Sequence, residues 1–518
     1  MPDDPEPTGA PARPISALLL DGRLWFWLLA VALVAVRFRH MGETIAGPHS
    51  GRQCDTAFFA LDFYRNGIDL LHPSMCWMGP HKTLAFEFPL PEAVVALGYH
   101  VFGPRHAVAR AFTLLACLGS AWYFYLLVRY LRNARAAKLA TLFYLAAPLA
   151  LFYSRAMHID FWAVLCAHAM LYYLLRGYDE ERTGLIVAGT AFGTLAFLIK
   201  APYAFYLFFP FGLHVLRRLK LKPLLRWAPI MVLPLLAFAL WRWHVARVNA
   251  AAPDWDFIPG YAKFTMRADW FFGPLSQRLE IGNWLMLARR VVAAITGSLG
   301  AYLLLLGLIP WSRDRRGLAF FWVWLSGVGL CILIFFNLNL IHDYYQIPLL
   351  APLAFFIAVA LEALFLEPQR PGWLARVPLA LTVLLVVGTS VRKAEATYYE
   401  VDWVRVTAGK AIREHTPEDA LVIASPSQAN TWWWDARVLY RARRLGWNIR
   451  TDRLSEDNIG RLVALGATHL AIISDQPVPP YLVRVLDTSP KEVIELKPHP
   501  WLLHLYQLDP KLRREAAP

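Results

Sequence analysis

Residues 344–366 read YYQIPLLAPLAFFIAVALEALFL, and this stretch decides the fold class of the chain. Glu362 is its only charged residue. Because an α-helix rises about 1.5 Å per residue, a helix of this length crosses the hydrocarbon core of a membrane, which is about 30 Å thick. The stretch therefore predicts a transmembrane helix.

The rest of the chain has the same character. Of its 518 residues, 57% are hydrophobic and only 17% are charged, and the mean hydropathy is +0.38. These values are typical of a membrane protein. We therefore expect a mainly α-helical polytopic bundle with about 11 spans. The apolar stretches that predict them are 20–37, 107–131, 137–153, 159–176, 184–200, 202–217, 227–246, 291–311, 318–337, 344–366 and 374–391.

Positive charge alternates between the connecting loops. Every second loop is basic, whereas the intervening short loops carry at most one cation each. The positive-inside rule places the basic loops in the cytoplasm, the N-terminus inside and the C-terminal tail outside. Much of the net charge of +14 follows from this topology. Since no basic stripe interleaved with aromatic residues accompanies it, nucleic acid is not an expected partner.

This topology divides the chain into three parts. Residues 1–19 form a cytoplasmic tail that lacks the features of a signal peptide, residues 20–392 a transmembrane domain, and residues 393–518 an extracytoplasmic domain. The transmembrane domain carries a long outer loop, residues 39–106. In this loop we expect a short surface helix early on and an apolar interface helix near its end, at 89–102.

The C-terminal domain changes from long spans to short apolar runs. ALVIA (420–424) and HLAII (469–473) predict buried strands, and the runs 492–496 and 501–508 predict a pair that closes the sheet. Helical stretches are expected between them, which makes a small α/β domain. They lie around 404–414, 432–445 and 456–465.

A lone acidic residue marks the outer loop. Asp55 lies in the sequence GRQCDT, residues 51–56. A carboxylate at the membrane surface can act as a general base towards a substrate whose reactive group lies at the same surface. From position alone, an N-cap role at the start of the surface helix explains Asp55 equally well.

Other polar residues project onto the same outer face. Charged side chains at the ends of spans are costly unless they are paired, snorkel to the surface or serve a function, so this concentration predicts a site. Caps, snorkelling and an interfacial aromatic belt are the plainer explanations for its members. The residues are Arg155, His158, Asp160, Lys200, His342, Asp343, Tyr344 and Tyr345.

The residue types indicate one kind of chemistry. A carboxylate can take a proton, while cations and Tyr or His donors can hold an anionic leaving group. Together with an apolar bundle they are suited to group transfer from a lipid-linked phosphate. Glu87 lies between two phenylalanines and next to an apolar segment. An unpaired carboxylate there is energetically costly, so Glu87 is a further candidate for the site.

Motifs for other chemistries are missing from the sequence. There is no Walker-type Gly-Lys-Ser, no His-Glu-x-x-His and no Cys-x-x-Cys. No cofactor is certain, and a divalent metal stays an alternative. Cys54 and Cys76 share the outer loop, where two free thiols are favoured over a disulfide.

Five short segments follow one another along the chain: GRQCDTA (51–57), FEFPL (86–90), YSR (153–155), LIKAP (198–202) and HDYY (342–345). In this order they resemble the bacterial branch of the protein-mannosyltransferase-like glycosyltransferases. These are GT-C fold membrane enzymes (glycosyltransferase family 39), and the group includes the aminoarabinose transferase of lipid A. The resemblance implies a polyprenyl-phosphate sugar donor and an inverting transfer. It also implies a catalytic base at Asp55, with Lys200 and His342 to Tyr345 at the donor phosphate or lining the cavity.

Two positions depart from the pattern of the family. Members often have a second acidic residue after the first, where this chain has Thr56, and the aminoarabinose branch has a lysine where this chain has Phe88. Lys82, Arg155 or Lys200 are the candidates for the missing cation. The remaining substrate-binding candidates are Arg52, Glu87, Asp160, His342, Asp343, Tyr344 and Tyr345.

The sequence therefore predicts a multi-pass enzyme of the cell inner membrane, with its active site and C-terminal domain facing the periplasm. Its expected partners are membrane lipids, the polyprenyl-phosphate sugar donor and a glycan, glycolipid or protein acceptor. The alternative from another class is a transporter or flippase of lipid-linked sugars, which requires polar groups at the bilayer midplane. A non-catalytic scaffold that presents the C-terminal domain is the third alternative.

Overall fold

The computed structural model describes residues 22–263, 268–309, 315–365 and 372–514. The predicted cytoplasmic tail, residues 1–19, lies outside the described residues.

Helices dominate the described chain. Those before the C-terminal region are α1 (Gly22–Val36), α2 (Ser50–Asn66), α3 (Leu90–Phe102), α4 (His106–Leu131), α5 (Ala134–Ala146), α6 (Pro148–Tyr153), α7 (Asp160–Asp179), α8 (Thr183–Lys200), α9 (Phe208–Arg218), α10 (Leu221–Met231), α11 (Leu233–Ala250), α12 (Ala268–Phe272), α13 (Leu275–Leu279), α14 (Ile281–Val291), α15 (Gly297–Leu308), α16 (Leu318–Ile334), α17 (Phe336–Ile341), α18 (Leu350–Phe365) and α19 (Gly372–Tyr398).

Six helical segments are long and apolar enough to cross a membrane, by length and composition. The predicted fold class, a mainly helical membrane bundle, is confirmed, but the expected number of 11 spans is not. The stretch 137–153 is broken before Pro148, and 202–217 consists of two 3₁₀ turns and a short helix. The six segments are His106–Leu131, Thr183–Tyr203, Leu221–Ala250, Ile281–Leu308, Asp343–Phe365 and Val377–Tyr398.

Helices α7 and α8 form a tight antiparallel hairpin at the centre of the bundle. Gly189 of α8 lies so close to α7 that a Cβ atom there would stand 3.0 Å from the backbone nitrogen of Leu174. Because the loop between the helices is short, the first residue of α7, Asp160, lies beside the last residue of α8, Lys200. The hairpin thus delivers two predicted site residues to one end of the bundle.

The outer loop folds around α2. This helix begins at Ser50 and ends at Asn66, and it is followed by Gly67, whose φ of 93° is accessible to glycine. The expectation of a surface helix is wrong, because side chains such as Phe58, Phe59 and Phe63 are buried between neighbouring segments. Helix α3 has 13 residues, about 20 Å, which is too short to span a membrane and agrees with the predicted interface helix.

The C-terminal region is the predicted small α/β structure. Its strands are β1 (Leu421–Pro426), β2 (Leu445–Asn448), β3 (His469–Ser474), β4 (Lys491–Glu495) and β5 (Leu502–Gln507), and its helices are α20 (Trp403–His415), α21 (Ala436–Ala442), α22 (Glu456–Ala464) and α23 (Pro480–Val485). The sheet order is β2-β1-β3-β5-β4. Strands β1, β2 and β3 are parallel, and β5 pairs antiparallel with β3 and β4.

The C-terminal sheet packs on the outer loop. One continuous core contains Cys54 and Phe58 of α2, Trp77 of the loop, and Ile423 and Trp447 of the sheet. The backbone nitrogen of Gly446 also bonds to the carbonyl oxygen of Cys76 at 2.9 Å. The C-terminal region therefore covers the loop that carries Asp55.

Candidate functional site

Asp55 lies in the second turn of α2, so the N-cap position belongs to His49 and the N-cap explanation for Asp55 is wrong. Its side chain is half-buried, and its Oδ1 accepts a hydrogen bond of 3.0 Å from Nε1 of Trp77. Burial raises the pKa of the Asp55 carboxyl to about 7, against the lowering effects of Arg52 and the Trp77 hydrogen bond. A carboxyl with this pKa is suited to exchange protons near neutral pH.

Arg52 lies one turn before Asp55 on the same helix. Its Nη2 donates to Oε2 of Glu87 at 2.7 Å, and both side chains are partly exposed. Burial disfavours the charges of both groups. Arg52 and Lys200 nevertheless lower the pKa of the Glu87 carboxyl, while Glu87 and Asp55 raise the pKa of the Arg52 guanidinium. Glu87 is therefore a counter-ion between two predicted site cations.

Lys200 lies in a buried polar cluster. Its Nζ donates to Oδ1 of Asp160 at 2.7 Å, and His158 pairs with the other carboxylate oxygen. The rings of Tyr344 and Tyr345 lie 4.7 Å and 4.3 Å from Nζ. The lysine thus points into the protein, between a carboxylate and aromatic faces that stabilise a cation. Four predicted site residues and Lys200 meet at this point.

The segment that contains His342 and Asp343 is anchored to the outer loop through His49. Nε2 of His49 lies 3.2 Å from Oδ1 of Asp343, and Nδ1 lies 3.3 Å from Nδ1 of His342. The hydroxyls of Tyr153 and Tyr398 also donate to Asp343, at 2.6 Å and 3.0 Å. Since its oxygens are fully engaged, Asp343 holds the segment in place.

His342 is held as the neutral imidazole. Burial lowers the pKa of its ring well below the usual value, and His49, Lys200 and His158 lower it further. A neutral imidazole can donate one hydrogen bond and accept another. It can therefore contact a ligand without adding a positive charge.

An aromatic array joins Asp55 to His342. The ring of Trp77 lies 5.4 Å from that of Trp433, which contacts Trp434 at 5.4 Å. Trp270 then lies 6.0 Å from Trp434 and 6.1 Å from His342. The sequence does not predict this arrangement, in which the tryptophan run 432–434 of the C-terminal region supplies one wall of the site.

Asp435 fixes the position of the tryptophan run. It caps α21 and is buried, and Arg437 donates to its two oxygens at 2.8 Å and 2.7 Å. Arg405 lies 3.7 Å away on the other side. Burial opposes the charge of Asp435, but Arg437 and Arg405 lower the pKa of its carboxyl. Sequence reasoning missed Asp435, although an acidic residue directly after three tryptophans is a usable signal.

Two predicted cations lie apart from this cluster. Arg155 is buried, and its guanidinium stacks 4.3 Å from the ring of Tyr399 and donates to the backbone oxygen of His40 at 3.0 Å. Lys82 is exposed and lines a cavity two turns further along α2, with Asp62. Arg52 interacts with both Asp55 and Glu87, and Lys200 interacts with Glu87.

Thiols and metal ligands add nothing to the cluster. Cys54 and Cys76 are buried free thiols. Burial raises the pKa of Cys54 to about 12, so it is protonated at neutral pH. Within the described ranges, no group of three or more His, Cys, Asp and Glu side chains could hold a metal ion. The divalent metal stays a prediction without a site.

Comparison with known proteins gives one family match over part of the chain and several structural matches. The family model for dolichyl-phosphate-mannose-protein mannosyltransferase matches residues 85–243. No curated protein matches the chain.

Three solved structures share the architecture. ArnT from Cupriavidus metallidurans, bound to undecaprenyl phosphate, superposes with a TM-score of 0.57 at 16% identity and covers 96% of this chain and 100% of its own. AglB, the oligosaccharyltransferase from Archaeoglobus fulgidus, in complex with an inhibitory peptide and a dolichol-phosphate, gives 0.54 at 13% identity over 87% and 69% of the two chains. The arabinofuranosyltransferase AftD from Mycobacteria gives 0.54 at 14% identity over 94% and 40%. The predicted GT-C fold is thereby confirmed.

Proposed function

We propose that the chain is a glycosyltransferase that moves a sugar from a polyprenyl-phosphate donor to an acceptor at the outer face of the cytoplasmic membrane. The observation that carries the proposal is the half-buried Asp55, with a pKa of about 7, on the same helix as Arg52, in a GT-C fold. Glu87, the ion-pair partner of Arg52, also interacts with Lys200. The solved relatives ArnT and AglB carry lipid phosphates, which supports a donor of the same chemistry.

Asp55 is the general base. As the acceptor oxygen or nitrogen attacks the anomeric carbon, its proton passes to a carboxylate oxygen of Asp55. The bond from that carbon to the phosphate oxygen breaks, and its electron pair leaves with the polyprenyl phosphate. Attack opposite the leaving group inverts the anomeric carbon. Trp77 fixes the carboxylate through Oδ1, which leaves Oδ2 for the acceptor.

Arg52 and Lys200 hold the departing phosphate. Nη2 of Arg52 donates to Glu87, and in the described structure its other guanidinium N–H groups have no hydrogen-bond partner. A guanidinium has five N–H donors, so several remain for phosphate oxygens. Lys200 is presented by Asp160 and by the surrounding tyrosine rings. Negative charge that develops on the phosphate strengthens both contacts.

His342, Tyr344 and Tyr345 complete the donor side. The rings of Tyr344 and Tyr345 lie beside Lys200, and neutral His342 contacts His49 of the outer loop and Trp270 of the tryptophan array. Asp343 and Asp160 act by positioning, since their oxygens already bind protein groups. Arg155 and Lys82 have no part in this centre.

The proposal is tested by comparing envelopes from a deletion strain and from strains that express the parent protein. Mass spectrometry of glycans, glycolipids, glycoproteins and polyprenyl-phosphate sugars is expected to show one sugar missing from an acceptor and its lipid-linked donor accumulating. Unchanged acceptors in the deletion strain contradict a transferase. A flippase only moves the donor between leaflets. Purified protein in vesicles with donor in both leaflets therefore distinguishes the two activities, because only a transferase modifies the acceptor.

A further inference from the structure

A second cavity, next to the one with Lys82, lies about two turns along α2 from Asp55. It has a volume of about 230 Å³, and its walls come from Leu61 of α2, the start of α4, helix α20 and the end of α21. Four basic side chains line it, namely Lys410, Arg413, Arg441 and Arg443. We call this space the cationic cavity.

The cationic cavity has no acidic residue in its lining. In the described chain, neither Arg413 nor Arg443 has a carboxylate within ion-pair distance. Lys410 has only Glu414 at 3.9 Å, on the same exposed helix face. Arg441 donates to two backbone oxygens, and its buried Nε has no protein partner. Among the described residues, the lining itself therefore contributes four cations and no carboxylate.

Positive charges gather around Arg443, from Arg413 in the lining and from Arg65 outside it. Burial lowers the pKa of Arg443, and the nearby Arg65 and Arg413 lower it further, against the opposing effects of Tyr440 and Glu418. Arg443 also adopts a left-handed backbone conformation with φ of 53°, which non-glycine residues rarely take. Glu418 and Asp419 line the neighbouring cavity with Lys82, which shares Leu61 and Arg443 with this one, but they are not part of the lining of the cationic cavity.

The position of the cavity relates it to the membrane. Pro104 and His106 in its wall stand at the beginning of α4, the first of the six segments long and apolar enough to span. The wall formed by Leu61 belongs to the helix that carries Asp55. The cationic cavity therefore lies at the end of a membrane segment, on the same side as Asp55.

We propose that the cationic cavity binds a phosphate group at the membrane surface. Guanidinium and ammonium groups gathered without a protein anion match phosphate oxygens in charge and donor geometry. The volume is below the roughly 300–1,000 Å³ of pockets for drug-sized ligands, so it accepts a phosphate headgroup and not a whole glycolipid. The phosphate can belong to an anionic lipid or be free.

The test compares the purified full-length parent with two variants, Arg413→Gln/Arg443→Asn and the control Arg484→Gln. Asparagine tolerates the left-handed conformation at 443, and Arg484 is an exposed arginine outside the cavity. Thermal stability is titrated with dihexanoyl phosphatidylglycerol, dihexanoyl phosphatidylcholine and inorganic phosphate. Binding at the Asp55 centre is common to all three proteins and cancels from the comparison.

We expect phosphatidylglycerol to bind the double variant at least about tenfold more weakly than the parent or Arg484→Gln, and phosphatidylcholine to show no difference. The same pattern with inorganic phosphate identifies the phosphate group alone as sufficient, whereas a response to phosphatidylglycerol only identifies a lipid headgroup. Equal binding by parent and double variant, or an equal loss in Arg484→Gln, overturns the proposal. If the double variant does not fold, Lys410→Gln at the exposed rim is expected to show a smaller loss, and an unchanged affinity there overturns the proposal.

Discussion

Nζ of Lys200 lies 2.7 Å from Oδ1 of Asp160, although 40 residues separate them in the chain. The antiparallel hairpin of α7 and α8 explains this contact, because it brings the start of one helix beside the end of the other. Both side chains are almost completely buried. Lys200 therefore does not snorkel towards headgroups, and the contact ties the donor side of the proposed site to the centre of the bundle.

Replacing the proposed base tests the catalytic assignment. Asp55→Asn keeps an oxygen that can accept the Trp77 hydrogen bond but removes the proton acceptor. We expect kcat to fall by at least about 100-fold while the protein stays folded and still binds donor. Asp62→Asn, on the same helix, is the matched control and retains activity. Turnover of Asp55→Asn near the parent rate excludes Asp55 as the base.

Stability provides a second measurement on the same variant. The folded-state pKa of Asp55 lies near 7, above the usual 3.8, so the folded protein binds this proton more tightly than the unfolded chain does. The carboxyl therefore lowers the stability of the parent as pH rises from about 4 to 7. We expect Asp55→Asn to melt at a higher temperature than the parent at pH 8 and at a similar one at pH 4. The opposite order means that the pKa is not raised.

The pH dependence of transfer follows from the same group. Only the carboxylate accepts a proton, so kcat/KM is expected to rise with pH and to level off above about 7. Because Arg52 lowers the pKa of Asp55, Arg52→Gln is expected to move this limb to higher pH as well as to weaken donor binding. Arg65→Gln, also on α2, leaves the limb in place. A profile that falls between pH 5 and 7 is incompatible with a basic carboxylate.

Part of this arrangement is predictable from sequence. The spacing of apolar stretches and basic loops puts Asp55, Lys200 and His342 on one face, because helix ends alternate sides along a polytopic chain. Packing decides the rest. The sequence gives no sign that Arg155 turns towards Tyr399, or that the C-terminal region lies over α2 and brings Trp433 to Trp77. Such contacts depend on how distant segments of the chain pack together, and neither the spacing of apolar residues nor the distribution of charge predicts that packing.

The number of spans is also a matter of packing. Residues 137–153 have the composition of one span, but Pro148 cannot continue a helix from the residues before it and starts a new one. In the C-terminal region, β2 was missed because Leu445–Asn448 has only four residues and contains glycine. Strand β2 forms because β1 beside it supplies its hydrogen-bond partners.

Trp77 is expected to tune Asp55. Trp77→Phe keeps a ring against Trp433 but removes the Nε1 donor that favours the charged carboxylate. We expect the rise of kcat/KM with pH to move up by about one pH unit. At high pH, where Asp55 is ionised in both proteins, kcat/KM is expected to differ less between them. Trp447→Phe is the control, since Nε1 of Trp447 has no partner in the described structure. If the pH dependence of kcat/KM in Trp77→Phe is the same as in the parent, Trp77 does not tune the pKa of Asp55.

Gly446 tests the packing of the C-terminal sheet. A Cβ at this position would stand 1.8 Å from the backbone oxygen of Val422, so β1 and β2 cannot keep their spacing. We expect Gly446→Ala to lower the free energy of unfolding of this region by about 2–4 kcal/mol. Limited proteolysis of the C-terminal region measures the loss. Gly388→Ala, where the new Cβ meets open space, remains as resistant as the parent.

Lys200 requires a double variant, because its removal has two effects. Lys200→Met leaves the buried Asp160 without its cation, which is expected to cost about 3–5 kcal/mol and to obscure any effect on donor binding. Lys200→Met/Asp160→Asn removes both charges and is expected to recover most of that stability. If Lys200 binds the donor phosphate, the double variant melts like the parent yet binds the polyprenyl phosphate at least about tenfold more weakly. Donor affinity restored together with stability would instead make the Lys200–Asp160 pair structural, and Arg52 would be the cation that meets the phosphate beside Asp55.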